Sequence, residues 1–383
     1  MNRFTGFGEE VPTYCCKPSS KRSAAMRFHA KRRWESATTS YQREQRWKAV
    51  VQDARWKYDI SYIARGKDDC VGSGAFGQVR PCVELSSRAD RCVKSIVKET
   101  WWTRPAVVQE IELLEMVSGN HPNIVEYYEC FEEINVIHLV LEYCSKGNLS
   151  NVILSKRFKE GGETLTAKIS YQIAGALQFL RDLQIVHRDV KPGSQAISMA
   201  THRVAEKWTI TDCFSWQSRI MPSNLVFAED EVVKLTDFGC ACLADDAVQD
   251  LTDIKGTPIF FSPEIHQLPR GRGYSFPADM WALGICIYMM LCKGAHPFMK
   301  EGGALRTRDH HTGVFDVDWF TSWSARDALQ WALMPHPGQR IQPNELMEHK
   351  WCYSHGLGGG TFSRSIRHKN VLDSHGNWVS IPN

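Results

Sequence analysis

One broken string restricts this chain more than anything else in it. His187-Arg188-Asp189-Val190-Lys191-Pro192 runs into a segment from Gly193 to Pro222, after which Ser223-Asn224-Leu225-Val226-Phe227 arrives as its continuation. Without the segment the text reads HRDVKPSNLVF. If the two halves act together, Pro192 and Ser223 must meet almost as neighbours. Entropy permits this, since closing a loop of about 30 residues costs roughly 3 kcal/mol plus a constant. The segment lacks the periodicity of a small folded module, although Trp208, Phe214 and Trp216 are apolar enough to seek burial. Because its removal in frame restores the string, it reads as a translated intron rather than an evolved regulatory insert.

A chain of 383 residues, 43% hydrophobic and 23% charged, can build a large two-lobed domain with extensions. The net charge of +3 is uneven: residues 1–60 carry 13 Lys and Arg against 6 Asp and Glu, so the remainder is acidic. The basic stretch Lys31-Arg32-Arg33 allows weak contact with an anionic surface, but a solvated, largely disordered arm is the plainer reading. Thirteen cysteines without a paired framework suit a reducing compartment, the cytoplasm, with the nucleus left open. Cys240 and Cys242 have no second pair at ligand spacing, which argues against zinc. No secretory apolar region follows Met1, and the run Met280 to Cys292 is too short to span a bilayer, so no transmembrane segment is expected.

Along the chain, Trp47, Val50, Val51, Ala54 and Tyr58 have the spacing of one face of a short helix. From Ile60 the pattern is strand-like and leads to Val71-Gly72-Ser73-Gly74-Ala75-Phe76-Gly77-Gln78-Val79, a G-x-G-x-x-G-x-V hairpin in which absent Cβ atoms let backbone N–H groups approach phosphate oxygens. Arg91-Cys92-Val93-Lys94 follows on a strand, and helices are expected over Gln109 to Val117, Leu165 to Leu180 and Asp279 to Cys292. Val136 to Tyr143 and Val232 to Leu235 read as strands, the latter running into Asp237-Phe238-Gly239. Residues 299–317 lack a clear helix. The tail, 354–383, is glycine-rich with a small basic patch and holds no D-x-D-x-D-G calcium loop.

In this order the motifs resemble the eukaryotic Ser/Thr protein kinases. "YMMLCKGAHPF" and Asp253 before Gly256 look like the calcium/calmodulin-dependent and calcium-dependent group, without EF-hands, while "HPNIVEYYECFEE" and "GTPIFFSPEI" are similar to the NIMA-related group. The resemblance implies an α+β, bilobal fold: a β-rich N-lobe at 61–142, a mainly helical C-lobe at 143–353 with the atypical insertion 193–222, a basic extension at 1–60 and a flexible tail from 354. It implies ATP and Mg2+ as cofactors and protein substrates as partners, and leaves the oligomeric state open. Residues expected at the nucleotide are Val71, Gly72, Ser73, Gly74, Ala75, Phe76, Gly77, Val79, Cys92, Lys94, Glu142, Cys144, Asn148 and Val226. Glu110 would pair with Lys94, with Glu112 the competitor for that role. Asp189 would accept the substrate proton, Lys191 would steady the γ-phosphate, and Asn224 and Asp237 would hold magnesium. Asp279 would brace the catalytic loop, and Arg340 would pair with Glu264. Asp253 would meet Arg188 where other kinases place a phosphate. Asn148 stands where the family often has an acidic residue, which argues against a simple Arg-directed substrate preference.

Two activities fit. One is ATP-dependent transfer of phosphate to Ser and Thr hydroxyls. The other is a pseudokinase or scaffold, catalysis being impaired because the insertion holds Asn224 away from the metal and emerges where an error of about 1 Å costs roughly a hundredfold in rate.

Overall fold

The computed structural model describes residues 55–60, 72–74, 77–98, 103–193, 223–229, 231–244, 251–268, 273–300, 304–316, 321–358, 368–372 and 378–382. The helix face expected at 47–54, the basic extension before it, Val71, Ala75, Phe76 and the insertion from 194 to 222 lie outside them.

The first lobe is an antiparallel sheet built from β1 (Tyr58–Asp59), β2 (Gly72–Gly74), β3 (Gly77–Glu84), β4 (Asp90–Val97), β5 (Tyr127–Glu132) and β6 (Val136–Glu142), with α1 (Thr103–Val117) between β4 and β5. The order is β1-β3-β4-β6-β5, with β2 also pairing β3. β6 lies inside this order, and its residues Ile137 to Leu141 are all buried, as a strand covered on both faces requires. β4 separates its faces: Cys92 and Ile96 join the main core, whereas Val93 packs with Tyr58, Cys82, Phe131 and Val140. α1 buries Val107, Glu110, Ile111, Leu114 and Val117, an i, i+3, i+4, i+7 stripe on which Glu110 is the one carboxylate.

The second lobe follows with α2 (Leu149–Leu154), α3 (Lys156–Asp182), β7 (Ile185–Val186), β8 (Leu225–Glu229), β9 (Val232–Leu235), β10 (Cys242–Leu243), α4 (Pro263–His266), α5 (Pro277–Leu291), α6 (Thr307–Thr312), α7 (Trp323–Ala332), α8 (Pro343–Met347) and α9 (Lys350–Ser354). Beyond Asp279 in its first turn, α5 is apolar on all sides, and it is buried from Ala278 to Met290, so it forms the lobe's axis. Proline opens it at the first helical position, where a missing N–H costs nothing. Arg340 donates to both carboxylate oxygens of Glu264, at 2.7 and 2.9 Å, tying the start of α4 to the chain before α8.

Four sequence expectations change. Tyr58 lies in β1, opposite Glu84, not on a helix face, because it stacks on Phe131 at 6.1 Å across the sheet. α1 and α3 start earlier than their apolar stripes indicate, since their first turns carry polar residues. Residues 299–317 contain α6, a helix too short for its period to register. The tail, expected to be flexible, holds β11 (His368–Leu372) and β12 (Trp378–Pro382) in a five-pair antiparallel ladder.

Candidate active site

The ends of the insertion meet. Asn224 N–H donates to the Lys191 carbonyl at 3.1 Å, and Ser150 Oγ, from α2, donates to the carbonyls of Pro192 and Gly193 at 2.6 and 3.0 Å. Counting Lys191, Pro192, Ser223 and Asn224 as consecutive, the first of these is the i to i+3 bond of a β-turn with Pro at its second position. Asn224 Nδ2 donates to Asp189, at 2.7 Å to the main-chain oxygen and 3.0 Å to Oδ2. Asn224 thus reaches Asp189 in spite of the insertion, and the bonds of the turn form with 29 residues between Gly193 and Ser223.

Asp189 is held from three sides. Lys191 Nζ donates to its Oδ2 at 2.7 Å and to Thr257 Oγ1 at 2.9 Å, while Thr257 Oγ1 donates to Asp189 Oδ1 at 2.7 Å. A carboxylate has about four acceptor positions, so one remains for a further hydroxyl. The loop itself hangs from α5: Asp279 Oδ2 and Oδ1 accept from the N–H groups of His187 and Arg188, both at 2.8 Å. Burial pushes the Asp279 carboxyl up and the His187 imidazole down from their usual ranges. Arg188 and Asp237 both take left-handed backbone conformations, with φ of 68° and 64°, uncommon for residues with a Cβ and frequent where function sets the geometry.

Across the cleft, Lys94 donates to Glu110 Oε1 and to Asp237 Oδ1, each at 2.7 Å, which selects Glu110 over Glu112. Burial works against the Lys94 ammonium, yet the Asp237 and Glu110 carboxylates hold its pKa above the ordinary lysine range. Burial likewise works against ionised Asp237, and Lys94 outweighs it, keeping that carboxyl low. Glu110 is pushed upward by burial.

Of the expected nucleotide residues, Gly72, Ser73 and Gly74 make up β2 and pair with β3, whose first residue, Gly77, lies opposite Gly74. Gly77 has φ of +123°, and a Cβ there would stand 2.2 Å from the Ser95 carbonyl oxygen, so no other residue fits. Val79 pairs with Lys94 and Cys92 with Leu141, placing them on neighbouring strands beside Glu142. The Glu142 side chain is committed elsewhere, to Lys234 at 2.8 Å and the Glu126 N–H at 3.1 Å. Burial pushes the Cys144 thiol up to about 12. Asn148 bridges to Val226, but its Oδ1 accepts from Asn151 N–H at 3.1 Å as the cap of α2, which explains its presence without a ribose.

Magnesium fits the residues present. Asn224 is wholly buried, and its Oδ1, a neutral oxygen suited to a hard cation, has no hydrogen-bond partner among the described residues. Asp237 stays ionised close by, sharing Lys94 and the Lys191 field. The sequence left Thr257 without a role, although its fixed place before Pro258 signalled one. It also missed Tyr274, whose hydroxyl donates to the Asp253 carbonyl at 2.7 Å; nothing in the sequence marks it.

The protein kinase domain family matches residues 66–202 and 219–352. The chain is 29% identical over 317 residues to calcium-dependent protein kinase 31 of Arabidopsis thaliana, covering 79% of this chain and 58% of that protein. It is 27% identical to calcium-dependent protein kinase 5 of Oryza sativa subsp. japonica, covering 75% and 47%. To the probable serine/threonine-protein kinase fhkE of Dictyostelium discoideum it is 28% identical, covering 74% and 37%. The chain thus spans about half the length of these curated relatives.

Proposed function

The chain belongs to the protein kinase domain family, and from that premise we propose that it transfers the γ-phosphate of ATP to Ser and Thr hydroxyls of proteins. The observation that carries this reading is Asn224 seated on Asp189 across the insertion with a spare buried oxygen. In this reading Glu110 holds Lys94, and Lys94 holds the α- and β-phosphates. Asn224 and Asp237 hold magnesium, which when bound neutralises charge on the phosphate oxygens. Asp189 orients the substrate hydroxyl and takes its proton as the oxygen bonds to the γ-phosphorus and the bond to ADP breaks. Lys191 steadies the transferring phosphoryl group. Catalysis is then positioning and charge stabilisation rather than covalent chemistry. The nine cysteines among the described residues are thiols, which suits a reducing compartment such as the cytoplasm. Among these residues no helix is long and apolar enough to cross a membrane.

The test is phosphate transfer from Mg-ATP to a generic Ser/Thr peptide by the full chain. Lys94→Met and Asp237→Asn should each lower it by about a hundredfold or more while circular dichroism stays unchanged. Unchanged activity in either variant would overturn the assignment.

A further inference from the structure

The main chain that follows Thr257 is gripped at both ends. At one end Thr257 bonds Asp189 and Lys191, and Gly256 packs so closely beneath Arg188 that a Cβ would stand 2.2 Å from its carbonyl oxygen. At the other end stand two buried histidines, neither of which the proposed chemistry uses. His296, in the turn after α5, donates from Nε2 to the Ile259 carbonyl at 3.0 Å and accepts the Phe298 N–H on Nδ1 at 3.2 Å. His310, on α6, donates from Nε2 to the Phe261 carbonyl at 2.8 Å, and its Nδ1 is buried with no hydrogen-bond partner among the described residues.

A carbonyl can only accept, so both rings carry their proton on Nε2. A second proton would put a donor on Nδ1. In His296 that donor would face the Phe298 N–H; in His310 it would be a buried N–H with no acceptor, which costs the desolvation of a polar group. Protonation keeps the Nε2 donor but makes this packing of each ring unfavourable, so the arrangement is stable with neutral rings.

We propose that His296 and His310 are positioning residues which, as neutral donors, set the Ile259–Phe261 main chain as the platform for substrate residues flanking the phosphorylated hydroxyl. The proposal rests on the kinase reading, because it is Asp189 that fixes where that hydroxyl sits, next to Thr257. The surrounding groups agree with it. His310 meets the ring of His266 at 4.8 Å and that of His311 at 5.5 Å, with the Glu264 carboxylate acting on it in the opposite sense and the uncharged rings of Trp281 and Phe298 at 5.1 and 5.3 Å. His296 faces His310 and Arg306. Burial lowers both to about 4, with the neighbouring histidines and, for His296, Arg306 adding to it.

Hydrogen exchange of the segment 257–265 in the full chain, corrected for intrinsic rates, reads the grip directly at pH 7.5 and pH 5. In the wild type, protection should fall tenfold or more on acidification. In His310→Gln, whose amide can still donate but cannot titrate, that fall should be smaller. In His310→Leu protection should be low at both values. The Leu variant should also raise KM for a peptide about tenfold, leaving KM for ATP and peptide-independent ATP hydrolysis unchanged. Unaltered protection in the Leu variant, a Gln variant with the wild-type pH dependence, or equal rises in both KM values would overturn the proposal. Should the Leu variant not fold, the Gln variant's pH dependence decides alone. A wild type that binds no nucleotide sinks the kinase reading, whereas the exchange result still judges the grip.

Discussion

Arg188 carries the first prediction at the scale of single residues. Its side chain is 2% exposed, donates from Nε to the Cys240 carbonyl and reaches Asp253 Oδ1 at 2.8 Å, while Asp253 is 52% exposed. Burial works against the guanidinium, and Cys242, Tyr274 and Asp253 together hold its pKa above the ordinary value. A fixed carboxylate there does without modification what a phosphate would do elsewhere, so phosphatase treatment is expected to leave peptide phosphorylation unchanged. Asp253→Asn should lower it about tenfold, with only about 1 kcal/mol lost in stability because solvent screens the exposed partner. Near-complete loss on phosphatase treatment, recovered by phosphorylating the exposed Thr252, would overturn the constitutive reading. The Asp253 pairing was legible because a charge at a fixed spacing from Gly256 is a local signal. The Tyr274 hydroxyl, which clasps the same Asp253, was not, because 21 residues separate it from its partner and no pattern links them.

At the scale of elements, α2 provides a test that separates cap from ligand. Asn148 ends the stretch that pairs with Val226 and caps a six-residue helix with its amide oxygen. Asn148→Ala should cost about 1 kcal/mol in urea denaturation and leave KM for ATP within about twofold. A large rise in that KM without loss of stability would return Asn148 to the ribose. Strands and helix cores were legible from period: β9 was placed residue for residue, and the stripe through Glu110 and Leu114 marked α1. Boundaries were not, since the first turns of α1 and α3 are polar in sequence and carry no amphipathic spacing. α6 and β1 escaped for the same reason. A two-residue strand and a six-residue helix are too short to repeat their own periods, and each is held by contacts made elsewhere, Tyr58 on Phe131 and His310 on Phe261.

For the molecule as a whole, three histidines, His296 and His310 buried and His121 half-buried, set an acid limit. His121, His296 and His310 are each lowered to about 4, by burial in all three and with help from Lys234 in the first. Between pH 6.5 and about 4 the unfolded chain therefore binds more protons than the folded one, so stability rises with pH there and is lost on acidification, by up to about 3 kcal/mol per residue. Thermal melts should show Tm falling steeply below pH 6.5, and His121→Phe should flatten part of that slope. The insertion poses the complementary question, for it adds chain without displacing the site. Deleting 193–222 leaves Lys191-Pro192-Ser223-Asn224 as an ordinary turn whose closing bond already exists at 3.1 Å. Removing a loop of about 30 residues should then raise stability by at most about 3 kcal/mol. Peptide phosphorylation should stay within a few-fold of the full chain, because Asn224 already bonds both the main-chain oxygen and the carboxylate of Asp189. A deletion form more active by a hundredfold would mean that the inserted chain obstructs substrate despite the intact turn, and a form that loses activity would mean that the insertion contributes to substrate binding.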